Sequence, residues 1–209
     1  MICDEQEAME LCRRVGSDGS LGRLAIFAEL LKEENERQNL VSTASLAVVW
    51  QRHLADSAQL LLHAPAGLLG PWLDLGTGAG LPGLVIAALR PELPVLLVES
   101  RRRRVEWLSR AAAELALVNC RVLGARLEDV ESTPAAIISA RAFAPLGKLL
   151  GLSARFSTRE TVWLLPKGRK AAQELQEQPV AIREMFHVEQ SCTDPEAGIL
   201  VGKGTPKLP

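Results

Sequence analysis

The sequence contains no tyrosine, only three histidines and only four cysteines, and each shortage narrows the classes of protein that it can be. Without tyrosine, the chain cannot supply the Tyr/Lys pair that one large class of dehydrogenases uses. The cysteines lie far apart and form no C-x-x-C pair, which argues against a zinc ribbon and against a disulfide scaffold. His63 and His187 have no partners at metal-ligand spacing, so we predict no metal site.

The sequence also lacks any apolar run that approaches the ~18 residues of a membrane-spanning helix. The N-terminal stretch MICDEQEAMELCRR is acidic and has no apolar core, so it does not resemble a signal peptide. We therefore expect a protein of the reducing cytoplasm that binds no membrane, and we expect it to be a monomer. The length of 209 residues suits one domain with an appendage, or two small domains. We expect a helical cap over 1–66 and a Rossmann-like domain over 67–209, packed as one compact unit.

The net charge of -1 conceals a strong asymmetry along the chain. Residues 1–40 carry 5 basic and 9 acidic side chains, a net charge of -4, whereas residues 101–170 carry 14 basic and 6 acidic side chains, a net charge of +8. A chain polarised in this way can present a basic face to a polyanion. The alternative is a set of solvated helix faces that are rich in arginine.

Hydrophobic periodicity divides the chain into a helical part and an alternating part. Segments 21–38 and 46–64 carry apolar residues at helical spacing, and a Pro/Gly-rich connector, 64–71, follows them. Short apolar runs then predict strands at 72–75, 95–99, 120–124, 135–139 and 161–165, with a closing pair near 182–188 and 198–202. Helices are predicted near 82–89, 102–116 and 145–156. This alternation is typical of an α/β protein with a parallel sheet covered on both faces.

The stretch LDLGTGAGLPG (73–83) carries the clearest chemical signal. Its last three glycines match G-x-G-x-x-G, the dinucleotide fingerprint. Glycines let the chain turn tightly after a strand and let a ligand approach the backbone closely. Glu99, at the end of the next strand, lies near the spacing at which a carboxylate accepts ribose hydroxyls. The pattern predicts a site for an adenosine cofactor.

Two adenosine cofactors fit this pattern, and the neighbouring residues favour S-adenosylmethionine over NAD. Asp74 lies two residues before the first glycine, where a carboxylate would repel a pyrophosphate but attract a sulfonium or an amino group. RLED (126–129) offers a further acid beside the adenosine pocket, and no dehydrogenase base is evident. We therefore predict the fold of a class I S-adenosylmethionine-dependent methyltransferase, with an N-terminal helical cap.

Ordered motifs over most of the chain resemble those of the bacterial small-subunit ribosomal RNA methyltransferase G family, also called glucose-inhibited division protein B. They are NERQNL (35–40), RHLADS (52–57), DLGTGAGLPG (74–83), ESRRRRVEWL (99–108), LVNCRVLGARLED (117–129), ARAFAPL (140–146) and PKG (166–168). The resemblance implies methyl transfer to guanine N7 in the 530 loop of 16S rRNA, with the RNA or the small ribosomal subunit as partner. Two places differ from the family pattern: Ala135-Ala136, where the family usually has an Asp, and the C-terminal tail, which lacks an expected basic residue.

The predicted cofactor site combines the glycine pattern with positions carried over from the resemblance. By the resemblance, Gly76 and Leu81 would touch the cofactor, Leu127 and Glu128 would bound its adenine, and Arg141 would line the site. The full predicted set is Asp74, Gly76, Gly78, Gly80, Leu81, Glu99, Leu127, Glu128 and Arg141.

The acceptor side of the reaction needs cations rather than a proton acceptor. Guanine N7 carries a lone pair and no proton, so its attack on a methyl group needs no general base, and we predict no catalytic acid or base. Arg141 and Lys167 follow the fourth and fifth predicted strands, at the carboxyl edge of the sheet. We predict that both residues contact RNA, together with Arg103 and Arg104 of the basic run that opens a helix.

The remaining motif residues predict packing, and three other functions stay open. We expect Arg52, His53, Asp56 and Ser57 to lock the cap onto the sheet, and Trp107 to lie in the core. An NAD-dependent oxidoreductase would need a nicotinamide site and a proton donor. A small-molecule methyltransferase would leave the basic segment unexplained. A non-catalytic RNA-binding or assembly protein that retains the cofactor fold is the third alternative.

Overall fold

The computed structural model describes residues 1–68 and 70–208, and one mixed sheet forms its centre. The seven strands follow the order β3-β2-β1-β4-β5-β7-β6. They are β1 (Trp72–Leu75), β2 (Val95–Val98), β3 (Cys120–Leu123), β4 (Ile137–Ser139), β5 (Val162–Lys167), β6 (Phe186–Gln190) and β7 (Gly198–Lys203). Strands β1 to β5 pair in parallel, whereas β7 pairs antiparallel with both β5 and β6. The predicted parallel sheet is confirmed.

Helices precede the sheet and cover its two faces. In the part of the chain that the structure describes, the α-helices are α1 (Glu5–Val15), α2 (Ser20–Gln38), α3 (Thr43–Leu46), α4 (Asp56–Ala58), α5 (Gly83–Leu89), α6 (Arg102–Glu114), α7 (Leu146–Ser153), α8 (Ala171–Gln176) and α9 (Val180–Met185). A π-helical turn (Trp50–Ala55) leads directly into α4, and a 3-10 turn (Gln59–Leu62) follows it. Such π-helical turns are rare and are frequent at functional sites.

Two expectations about these elements were wrong in detail. The single helix expected over 46–64 is broken into the π-helical, α-helical and 3-10 pieces. The strand expected near 182–188 begins only at Phe186, because Val180–Met185 form α9. Pro179 immediately precedes α9 with a φ of -54°, a value that suits the entry into a helix. The helix over Glu5–Val15 was not predicted as a separate element; the Asp4 side chain caps it by accepting from Glu7 N.

The hydrophobic core has two parts, one on each face of the sheet. Alternate residues of each strand face opposite sides, so Trp72 packs with the cap side and Leu73 with the other. Helix α5 is buried along its whole length between the sheet and the cap. Phe27 of the cap stacks on Trp107 of α6 with ring centroids 6.3 Å apart, and the predicted core position of Trp107 is confirmed.

The order of the strands determines where a site can form. The chain runs from β1 outward to β2 and β3, and then returns to the other side of β1 to add β4 and β5. The loops after β1 and β4 therefore leave the sheet in opposite directions. Ligands of open α/β sheets bind in the crevice that such a reversal leaves beyond the carboxyl ends of the strands.

Candidate functional site

The loop after β1 depends on glycine at positions where a side chain would be strained or obstructed. Gly76, Gly78 and Gly80 have φ values of 60°, 57° and 93°, in the region that favours glycine. A Cβ at Gly76 would overlap the ring of Phe143, and one at Gly78 would lie 3.2 Å from Nη1 of Arg104. Glycine at these two positions therefore lets the Phe143 ring and the Arg104 guanidinium lie directly against the loop.

Beside this loop lies a cleft of about 220 Å³, which we call the glycine-loop cleft. Its lining residues are Gly76, Val98, Glu99, Ser100, Arg101, Arg104, Ala125, Leu127, Ala142 and Phe143. The carboxylate of Glu99 accepts from Gly78 N at 3.2 Å, and Nη1 of Arg104 lies 3.8 Å from it. The cleft thus combines a carboxylate, a cation and an apolar wall.

Asp74 lies beneath the loop and holds it in place. The side chain is fully buried, and it accepts from the Ser139 hydroxyl at 2.7 Å and from Gly83 N at 3.0 Å. Burial raises the pKa of this carboxyl to about 6, against the opposing effect of these hydrogen bonds. Asp74 therefore connects β1, β4 and the start of α5.

A second, larger cleft of about 800 Å³ lies between the cap and the carboxyl ends of β4 and β5, and we call it the cap cleft. Residues from the cap line one side, and Arg141, Lys167 and the segment around Asp194 line the other. The two clefts share Ala142 and Phe143. Ala142 has a φ of 54°, an unfavourable conformation for alanine, so the chain is strained at the junction.

Three ion pairs line the cap cleft, and two of them join distant parts of the chain. Arg52 Nη1 lies 2.8 Å from Asp194 Oδ2, Arg141 Nη1 lies 3.2 Å from Asp56 Oδ2, and Lys167 Nζ lies 2.6 Å from Glu174 Oε2. The first two pairs connect the cap to the β6–β7 loop and to the end of β4. The predicted locking role of Arg52 and Asp56 is therefore confirmed.

A buried polar cluster supports the cap cleft, and the sequence patterns did not reveal it. Gln59 Nε2 donates to Asp56 Oδ1 at 2.9 Å and to Ser191 Oγ at 3.1 Å, while its Oε1 accepts from Cys192 N at 2.8 Å. Thr193 Oγ1 donates to Asp56 Oδ1 at 2.8 Å. The only local signal is the polar run SCTD (191–194) after β6, which resembles any loop.

The structure brings some of the predicted site residues together and places others elsewhere. Gly76, Glu99 and Leu127 line the glycine-loop cleft, together with Arg104, which was predicted as an RNA contact. Arg141 and Lys167 line the cap cleft.

The other predicted residues lie outside both linings. Gly80 and Leu81 are buried at the end of the glycine loop, and Gly78 contacts the glycine-loop cleft through its bond to Glu99. Glu128 is exposed and pairs with Arg126, and Arg103 Nη2 donates to the carbonyl of Arg37. All of the cofactor and RNA roles remain predictions.

Neither a metal cluster nor a membrane helix occurs in the described residues. Across 1–68 and 70–208, no group of three or more His, Cys, Asp or Glu side chains is arranged to hold a metal ion. No helix in those residues has the length and apolar character needed to cross a bilayer.

Comparison with known proteins identifies the family. The model of the GidB family, rRNA small subunit methyltransferase G, matches residues 20–195. The chain belongs to this family. The ribosomal RNA small subunit methyltransferase G of Erythrobacter litoralis is 58% identical over 99% of this chain and 100% of its own length. The protein of the same name from Novosphingobium aromaticivorans is 58% identical over 97% of this chain and 89% of its own length.

Solved structures show the same fold at low sequence identity. A SAM-dependent methyltransferase from Aquifex aeolicus superposes with a TM-score of 0.59 at 16% identity, and covers 82% of this chain and 97% of its own. A precorrin-6y C5,15-methyltransferase from Geobacter metallireducens gives a TM-score of 0.54 at 13% identity, and covers 80% of this chain and 91% of its own. The predicted class I methyltransferase fold is confirmed.

Proposed function

We propose that the chain transfers a methyl group from S-adenosylmethionine to N7 of a guanine in the 530 loop of 16S rRNA. Membership of the methyltransferase G family supports methylation of small-subunit rRNA. One structural observation carries the proposal: the glycine-loop cleft and the cap cleft meet at Ala142 and Phe143. A methyl donor in the first cleft and a base in the second would meet at this junction.

The residues of the glycine-loop cleft fit the adenosine part of S-adenosylmethionine. Gly76 and Gly78 let the loop turn tightly beside the cleft. The Glu99 carboxylate already accepts from Gly78 N, Ser100 N and Arg101 N, and its remaining lone pairs would accept from ribose hydroxyls. Leu127 offers an apolar wall to an adenine, and the Arg104 guanidinium balances the charge of Glu99. When bound, the cofactor supplies a methyl group activated by a sulfonium. Asp74 acts from below by fixing the loop.

The cap cleft fits a single nucleotide that has left its stack. Its volume of about 800 Å³ falls within the range of roughly 300–1,000 Å³ that is usual for small-molecule sites. Enzymes that modify a base take it out of the helix or act on single-stranded RNA, whose loops display unstacked bases. Arg52, Arg141 and Lys167 line the cleft, each paired with an acid, and their remaining N–H groups would donate to an RNA backbone.

The state of the acids and of His53 favours an acceptor that has no proton to lose. At the wall of the cap cleft, His53, Asp56, Glu174 and Asp194 all contact protein cations within the described chain. An exocyclic amine must lose a proton during or after transfer and is helped by a free base, whereas N7 has no proton to lose. Alignment of the two reactants can then supply roughly 7–11 kcal/mol of the barrier.

The decisive experiment uses cofactor with a labelled methyl group. The protein is offered small ribosomal subunits that lack the modification, the deproteinised 16S rRNA, and a pool of small metabolites. Nuclease digestion then identifies the labelled nucleoside. We expect label in 7-methylguanosine from one site in the 530 loop, and a fragment with 7-deazaguanosine at that site should accept none, because carbon replaces the nucleophilic nitrogen.

Two other results would contradict the proposal. Transfer to the 7-deaza fragment would place the methyl group on another atom. Label confined to a small metabolite, or cofactor binding without transfer to any acceptor, would favour the small-molecule or the non-catalytic alternative.

A further inference from the structure

Arg141 is held from two sides by the cap. It follows β4 at the junction of the two clefts, and its side chain is 24% exposed. Nη1 donates to Oδ2 of Asp56 at 3.2 Å, and Nη2 lies 3.3 Å from Nδ1 of His53. His53 lies within the π-helical turn and Asp56 opens α4, so one short helical segment supplies both acceptors.

The guanidinium of Arg141 determines which tautomer His53 adopts. An arginine side chain has only donors, so Nδ1 of His53 must accept and the ring proton must reside on Nε2. Nε2 then donates to the hydroxyl of Ser45 at 2.8 Å. Burial, together with the charge of Arg141, lowers the pKa of His53 to about 3. The imidazole is therefore a neutral acceptor for Arg141 in the working range of a cytoplasmic enzyme.

The carboxylate of Asp56 is also held by hydrogen bonds, which come from the protein interior. Its Oδ1 accepts from Thr193 Oγ1 at 2.8 Å and from Gln59 Nε2 at 2.9 Å, and both of these partners are buried. The carboxylate therefore has one oxygen committed to the protein interior and presents the other to Arg141. Such support is stronger than that of an exposed ion pair, because little freedom is left to the acceptor.

From this geometry we propose that His53 and Asp56 are positioning residues, which orient the Arg141 guanidinium so that its remaining N–H groups donate to an oxygen of the target nucleotide. Within the described residues, those remaining N–H groups have no protein acceptor, and Arg141 lines the cap cleft. The inference rests on the proposed function, since the nucleotide is its acceptor. It assigns His53 a role that is neither proton transfer nor cap packing alone.

Two substitutions at position 53 separate these roles. In His53→Asn the amide oxygen replaces Nδ1 and can still accept from Arg141, but the side chain is too short to reach Ser45. In His53→Gln the amide occupies the place of Nε2, so the contact with Ser45 is retained and the contact with Arg141 is lost. The readouts are the single-turnover methylation rate at saturating cofactor and RNA, the Kd for S-adenosylmethionine, and the urea unfolding midpoint.

We expect His53→Gln to lower the rate about 10- to 100-fold, the scale of a small misplacement, while the Kd for the cofactor is unchanged. His53→Asn should stay within about threefold of the wild-type rate. Arg141→Gln should lower the methylation rate far less in the His53→Gln background than in the wild type, because the two residues act as one unit. Asp56→Asn, which turns an amide N–H₂ towards Arg141, should slow transfer as His53→Gln does and serves if His53→Gln does not fold.

Three outcomes would overturn the inference. They are a wild-type rate in His53→Gln, equal losses in His53→Gln and His53→Asn, and additive losses with Arg141→Gln. Equal losses would instead assign His53 a direct part in proton transfer or in packing. If the wild-type protein itself transfers no methyl group to the RNA, the proposed function is wrong. Failure of the inference alone is a different result: the wild type is active, and His53→Gln and His53→Asn do not differ in rate.

Discussion

The hydroxyl of Ser139 lies 2.7 Å from the carboxylate of Asp74, and this hydrogen bond joins the two central strands directly under the glycine loop. Trp72 Nε1 donates to the same hydroxyl at 2.8 Å, so the chain of donors ends on the acid. The second oxygen of Asp74 accepts from Gly83 N, at the start of α5. One buried carboxylate therefore couples the loop that bounds the glycine-loop cleft to the strand that leads to Arg141.

Asp74→Asn should change how stability depends on pH. The folded-state pKa is raised to about 6 from the usual value of 3.8, so the stability contributed by the protonated acid is lost as pH rises through about 6. In the variant this loss is absent. The free energy of unfolding of Asp74→Asn, relative to wild type, should therefore rise by about 2 kcal/mol between about pH 4.5 and pH 7. Urea titrations at both pH values measure it, and parallel pH profiles would contradict it.

His53→Asn should show a pH dependence of opposite sign. The folded-state pKa of His53 is lowered from 6.5 to about 3, so the unfolded chain binds the proton more readily and the wild type loses stability as pH falls below about 6.5. The variant is free of this loss. Relative to wild type, its free energy of unfolding should increase by about 2–3 kcal/mol from about pH 7 down to pH 4.5. Asp74→Asn, measured in the same buffers, is the control with the opposite slope.

Local patterns predicted the parts of the site that a single segment encodes. The glycine loop and the position of Glu99 beside it follow from a spacing of 21 residues between Gly78 and Glu99, and the alternating elements imply the edge where they meet. The motif asparagine Asn119 proves to be structural, because its Nδ2 donates to the carbonyls of Ala87, Arg90 and Leu93. A motif alone cannot distinguish such a structural bond from a ligand contact.

The cap cleft could not be predicted in the same way, because its parts come from distant segments. Asp56 and Thr193 are separated by 137 positions, and no periodicity relates them. The π-helical turn that directs His53 towards Arg141 has an ordinary helical sequence pattern. The resemblance to the family predicted Arg141 as a site residue, but its two acceptors, His53 and Asp56, could be identified only from the folded structure.

Gly76→Ala should weaken both cofactor binding and the fold. Alanine at a φ of 60° costs about 1–2 kcal/mol, and its Cβ would push the Phe143 ring out of place between the two clefts. We expect the Kd for S-adenosylmethionine to rise roughly tenfold or more, measured by calorimetry. Gly151→Ala in α7 is the matched control, since nothing lies within 4 Å of its Cβ. The control should gain about 0.5–1 kcal/mol of stability and bind the cofactor normally.

Phe27→Ala should destabilise the cap and the sheet together. Both Phe27 and its stacking partner Trp107 are almost fully buried, in a core cluster that includes α5. Removal of such a ring costs about 3–5 kcal/mol. We expect one cooperative thermal transition at a lower Tm, seen alike by far-ultraviolet circular dichroism and by tryptophan fluorescence. Two separate transitions would show that residues 1–66 form an independent domain.

The basic run before and within α6 should govern the salt dependence of RNA binding. Arg101, Arg102 and Arg103 are exposed, and each side chain can approach a phosphate, although Arg102 also pairs with Glu106 at 2.9 Å. Replacing all three with glutamine should remove about three phosphate contacts. The slope of log K against log salt for a 530-loop fragment should then become shallower by about 2, at roughly 0.7 for each contact to a single strand.

Arg159→Gln is the control, because that side chain is 93% exposed but precedes β5 at the opposite edge of the sheet. An unchanged slope in the triple variant would mean that this run is a solvated helix face and that the RNA lies elsewhere.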